Sequence, residues 1–90
     1  MASEEPKSDE IRSTINHLKE FKQLAGWLDI VDFIDERIEH AYEALETLDD
    51  IHKIAKVQGS IAQLKDIKDL PDWYISELEA QQKDKEDENA

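Results

Sequence analysis

Ninety residues without a cysteine leave room for one small domain and exclude both a disulfide framework and a thiolate-bound zinc. Twenty-three acids against eleven Lys and Arg give a net charge of −12. That charge sets the chain against phosphate backbones and anionic membranes, so direct nucleic-acid binding and membrane binding are not expected. No apolar run exceeds three residues, so neither a transmembrane segment nor a signal-peptide core is expected, and the cytoplasm is the expected compartment.

Residues 1–8 carry no periodic apolar pattern and read as a disordered N-terminus. Ser8-Asp9 can cap a helix, and acids at 9 and 10 suit its positive end. Ile11, Ile15, Leu18, Phe21, Ala25 and Leu28 then recur at spacings of three and four, which is one face of a helix. Gly26 interrupts that face, and a kink or a short break is expected over 25–27.

The stretch 27–48 carries the most regular pattern. Val31, Ile34, Ile38, Ala41, Leu45 and Leu48 form a heptad-like seam suited to packing along another helix. Seven acids, Asp29, Asp32, Glu36, Glu39, Glu43, Glu46 and Asp50, keep the same alternation two residues out of step. Two residues at ~100° each put them about 200° from the seam, so one helix has a dry stripe and an acidic stripe on opposite sides.

Asp49-Asp50 reads as a turn followed by a new N-cap. A second amphipathic helix over about 51–69 carries Ile51, Ile54, Val57, Ile61, Leu64 and Ile67, with a net charge of +2 against −8 for residues 29–50. A turn this short makes the two helices antiparallel neighbours. Gly59 falls mid-helix, where it allows either close approach of another helix or a break, and the apolar period running through it favours close approach. Leu70-Pro71 is expected to end the helix, with a short one following over 71–82 and a solvated acidic tail over 83–90. The fold class is therefore all-α: an antiparallel helical hairpin with an additional N-terminal helix and a short C-terminal helix. That makes three to four helices in a single domain over 9–82.

Val57-Gln58-Gly59-Ser60-Ile61-Ala62-Gln63-Leu64, the Leu70-Pro71 step and the placement of Trp27 resemble a pattern in small accessory proteins of tailed bacteriophages. The resemblance covers about residues 25–75. It implies a virion or assembly component, active in the host cytoplasm or the particle, without catalytic residues.

Chemistry is thin. The few hydroxyls lie in no nucleophile-elbow context, no glycine-rich phosphate loop exists, and no cofactor is expected. His40 shares a helix face with Glu36 and Glu43, which reads as a solvated histidine between acids rather than a metal site. A small metal-dependent enzyme is the weakest of three readings. The leading one is a non-catalytic interaction or assembly module, docking on itself or another protein through Trp27, Val31, Phe33, Ile34, Ile38, Tyr42, Leu45 and Trp73. A homo-oligomer or a place in a larger assembly would complete its small core. The alternative is an inhibitor whose acidic stripe imitates a DNA phosphate track. Phe33, close to the acidic side, either stands exposed or packs against the 9–25 helix.

Overall fold

The computed structural model describes residues 8–88, and the architecture is all-α. Among the described residues there are three helices, α1 (Ser8–Phe21), α2 (Ala25–Thr47) and α3 (Ile51–Glu88), and no strand. The chain divides into two compact units: residues 25–70 form one, and residues up to 24 with those from 71 onward form the other. The expected disordered N-terminus lies, apart from Ser8, outside the described residues.

The unit holding α1 is built on Ile11, Ile15, Ile75 and Leu78, with Leu18 packed against them. Ile11, Ile15 and Leu18 follow the helical repeat, so α1 presents them on one stripe to the last part of α3. Asp9 and Glu10 sit in the first turn of α1 and Lys19 in its last, each matched to the helix dipole. At the edge of the core Lys22 forms an ion pair with Asp72. Both side chains stay partly exposed, so the pair contributes ~1 kcal/mol at most.

The break after α1 falls three residues earlier than the glycine suggests. Gln23 N–H donates to the Glu20 carbonyl and Leu24 N–H to that of Phe21, a tightened final turn. Gly26 lies inside the first turn of α2 and has no positive φ. The reason is phase. The half-buried residues step from Lys22 to Trp27, five positions, which breaks the three-and-four repeat of a continuous helix. Phe21 and Leu28, expected to prolong the first stripe, are accordingly exposed.

In the other unit the seam expected on α2 is turned inward. Ile34 is buried, while Trp27, Val31, Ile38, Ala41, Leu45 and Leu48 are half-buried. Ile61 is the buried counterpart on α3. Two polar contacts join α2 to α3: Lys65 Nζ donates to the Tyr42 hydroxyl at 2.9 Å, and Lys68 Nζ to Asp35 Oδ1 at 2.8 Å. Asp50 is the cap anticipated for α3, accepting from the His52 N–H at 2.8 Å and the Lys53 N–H at 3.3 Å. Asp50→Ala is expected to cost about 1 kcal/mol in chemical denaturation, since two orphan donors lose their acceptor.

Helix α3 is unbroken at Gly59, as the apolar period favoured, and departs from expectation at Pro71, where it also runs on. Gly59 is exposed, and a Cβ built there meets nothing within 4 Å, so neither close approach nor a break explains it. Gly59→Ala should stabilise by about 1 kcal/mol, read as a higher urea midpoint at unchanged slope. Pro71 does not end the helix. It is buried, and stands four and seven residues before Ile75 and Leu78, which are buried in the same unit with Ile11 and Ile15. Continuing the helix keeps Ile75 and Leu78 in phase for burial, which offsets the cost of an interior proline. As a result residues 71–82 are not a separate helix, and 83–88, expected as a solvated tail, extend α3.

Candidate interaction surface

Helical geometry divides the surface of the unit formed by residues 25–70. Tyr42 and Asp35 lie at one edge of the α2 seam, and Lys65 lies at the matching edge of α3, where it bonds Tyr42. Lys65 Nζ also stands 5.5 Å from the centre of the Tyr42 ring, a cation–π distance. The hydrogen bond to Asp35, followed by the charge on that carboxylate, holds the Lys68 ammonium above the ordinary lysine range. A raised lysine pKa means that the pair contributes fully at neutral pH. Its contribution is lost only as pH rises through that raised value.

The opposite edges are different in kind. On α2, Gly26, Ile30, Phe33, Arg37, His40, Ala44 and Thr47 form a third series spaced four and three, with no acid in it. On α3 the corresponding edge carries Ile67 and, further round, Leu70. Ile30 is 48% exposed, Phe33 61%, Ile67 50% and Leu70 49%. Four large apolar side chains therefore stand exposed in this unit, with Asp29 and Glu36 within a turn of Phe33 on α2 and Asp66 within a turn of Leu70 on α3. Arg37 covers part of the patch, its guanidinium 6.0 Å from the centre of the Phe33 ring. An exposed apolar group of this kind, rimmed by polar side chains, is the usual mark of a contact surface.

The residues singled out in the sequence separate into three sets. Ile34 is spent in the interior, and Val31, Ile38 and Leu45 are half-buried in the same seam, as is Trp27 at its start. Phe33 and Tyr42 are exposed in the 25–70 unit, so Phe33 is not packed away, and Trp73 is 62% exposed in the other unit. All seven members of the acidic stripe, Asp29, Asp32, Glu36, Glu39, Glu43, Glu46 and Asp50, are exposed. Ile30 and Arg37 were missed, although they belong to the third in-phase series on α2, masked by the more conspicuous apolar and acidic ones; Ile67, expected in the apolar stripe of the second helix, is exposed instead, and Leu70 was read only as the step before Pro71.

Among the described residues no three or more His, Cys, Asp or Glu side chains are placed to hold a metal ion. His40 is exposed beside exposed Glu36 and Glu43. A shallow hollow in the other unit, lined by Lys19, Lys22 and Gln23, holds no nucleophile and no paired carboxylates. No helix among the described residues is long and apolar enough to cross a membrane. No protein-family model matches the chain, and neither a curated protein nor a solved structure matches it.

Proposed function

We propose that this chain is a non-catalytic protein–protein interaction or assembly module, in which α2 and the first part of α3 pair as an antiparallel hairpin. Support for the pairing comes from two contacts that run in opposite senses along the helices, Asp35 with Lys68 and Tyr42 with Lys65. Support for the function comes from one observation above the rest: Ile30, Phe33, Ile67 and Leu70 are all exposed in this unit rather than spent in its interior. Burying such a patch yields roughly 25 cal/mol per Å² of apolar area, while the acids remain in water. The likeness of residues 25–75 to bacteriophage accessory proteins is in keeping with an assembly role in the cytoplasm or a particle.

The test places a photoreactive phenylalanine analogue at Phe33 in the full chain, in cells producing it. A control carries the same group at Glu43, on the acidic stripe. The expected result is a discrete protein adduct from position 33 and none from position 43. Adducts from 43 alone would overturn this reading in favour of the second one, in which the fully exposed stripe imitates a phosphate track in a DNA-binding groove. That second mode would weaken steeply with salt, whereas apolar docking would not.

A further inference from the structure

Around Phe33 the exposed side chains of α2 are sorted by kind. At ~100° per residue, Asp29 and Glu36 stand about 40° and 60° from Phe33 on one flank, and Arg37 and Ile30 about 40° and 60° from it on the other. All of these side chains are exposed. The surface is therefore banded: carboxylates, then an aromatic ring, then an aliphatic side chain and a guanidinium 6.0 Å from the ring centre. The bands belong to one helix of one unit, so the helical repeat alone fixes them. Further along α2 the apolar band stops, because His40, Ala44 and Thr47 follow in phase.

Among the described residues, neither Asp29 nor Glu36 has an ion-pair partner, whereas Asp35 on the same helix is taken by Lys68. A partner that covers Phe33 and Ile30 brings its own rim to within a turn of both free carboxylates. An anionic rim is repelled there. A second copy is repelled too, since it presents the same acids from a chain of net charge −12. An uncharged rim shields the carboxylates from water and returns nothing. A cationic rim gains on both. Asp29 and Glu36 lie seven residues apart, ~10 Å along the axis. An amphipathic helix whose apolar stripe is edged with Lys or Arg repeats that spacing. Arg37 sets the sense of docking, because a basic edge laid over the other flank would meet its guanidinium.

We infer that the surface around Phe33 docks a cationic amphipathic helix of another protein, its apolar stripe on Phe33 and Ile30 and its basic edge on Asp29 and Glu36. The inference rests on the interaction-module reading and deepens it by naming the chemistry of the partner. The probe is a synthetic helical peptide of about four turns, with leucines three and four apart and lysines along one edge. One control peptide carries glutamate for every lysine. A second has the same residues reordered so that no face is apolar. Each is labelled and titrated with the full chain by fluorescence anisotropy at ~0.15 M salt, where exposed charges are screened beyond ~8 Å. The lysine-edged peptide should bind at least about tenfold tighter than either control. Phe33→Ala should weaken it about tenfold, and so should Asp29→Asn combined with Glu36→Gln. Glu43→Gln combined with Glu46→Gln removes the same charge ~10 Å or more further along α2 and should change the affinity less than about twofold. Circular dichroism checks that each variant keeps its helix content.

A glutamate-edged or reordered peptide that binds as well as the lysine-edged one overturns the inference. So do equal losses from the two double substitutions, which a diffuse acidic field or an imitation of a phosphate track would give. An adduct at position 33 between two copies of the chain overturns it as well. The cationic helix and the interaction module fail separately. A position-33 adduct with another protein, together with no preference for the lysine edge, removes the cationic helix and keeps the interaction module. No adduct at position 33, together with no effect of Phe33→Ala, removes both.

Discussion

Ile11→Ala should lower the stability of the chain by about 2–4 kcal/mol, the largest loss expected from a single truncation here. Ile11 is 1% exposed, the most deeply buried side chain described. It packs with Ile15, Ile75 and Leu78 in a cluster too small to share the loss. Removing three carbons from such a site forfeits their transfer free energy and leaves a cavity that two helical stripes cannot easily collapse around. A domain of this size holds only ~5–10 kcal/mol in total, so the variant should unfold at a much lower urea concentration. The measurement is a urea titration followed by circular dichroism. A loss below ~1 kcal/mol would mean that the packing of α1 on the last part of α3 contributes little to folding.

Pro71→Ala should act in the opposite direction, raising stability by about 1–2 kcal/mol. Proline has no N–H, so the carbonyl of Ile67, four residues earlier, has no donor within the helix. The interior-helix penalty of proline relative to alanine is about 3 kcal/mol. Against this stands the packing of the ring, since Pro71 is buried, and losing part of it gives back about 1–2 kcal/mol. A higher urea midpoint with unchanged slope is the expected reading. A lower midpoint would show that the ring, as a core side chain, outweighs the hydrogen bond it removes.

The proposed function runs through surfaces. The unit of residues 25–70 turns its seam inward and leaves its acidic stripe and Ile30, Phe33, Ile67 and Leu70 exposed. That arrangement leaves α2 without a free seam. The proposed docking surface is therefore built from residues off the seam, the exposed Ile30, Phe33, Ile67 and Leu70. The half-buried Val31, Ile38 and Leu45 are poor places to probe binding by substitution, because a charge there would first unfold the unit.

The sequence by itself determined the helical class, the seam from Val31 to Leu48, the acidic stripe opposite it and the Asp50 cap. These follow from spacing and local hydrogen bonding, which are properties of a single helix and need no neighbour. The inward turn of Ile34 and the outward turn of the seven acids are likewise consequences of one period. Only the tertiary structure decided the remaining features. Local chemistry argued for a stop at Pro71, yet burial of Ile75 and Leu78 against α1 keeps α3 in phase through it. Glycine argued for a break at 25–27, yet the five-residue step between Lys22 and Trp27 placed it at Lys22–Leu24. Likewise, three in-phase series run along α2, and the sequence cannot rank them. Packing against α3 covers one of them, and the apolar side chains left exposed become the candidate site. Burial is a cooperative property of paired helices, so it overrides local preferences worth ~1–3 kcal/mol wherever several apolar side chains depend on one continuous phase.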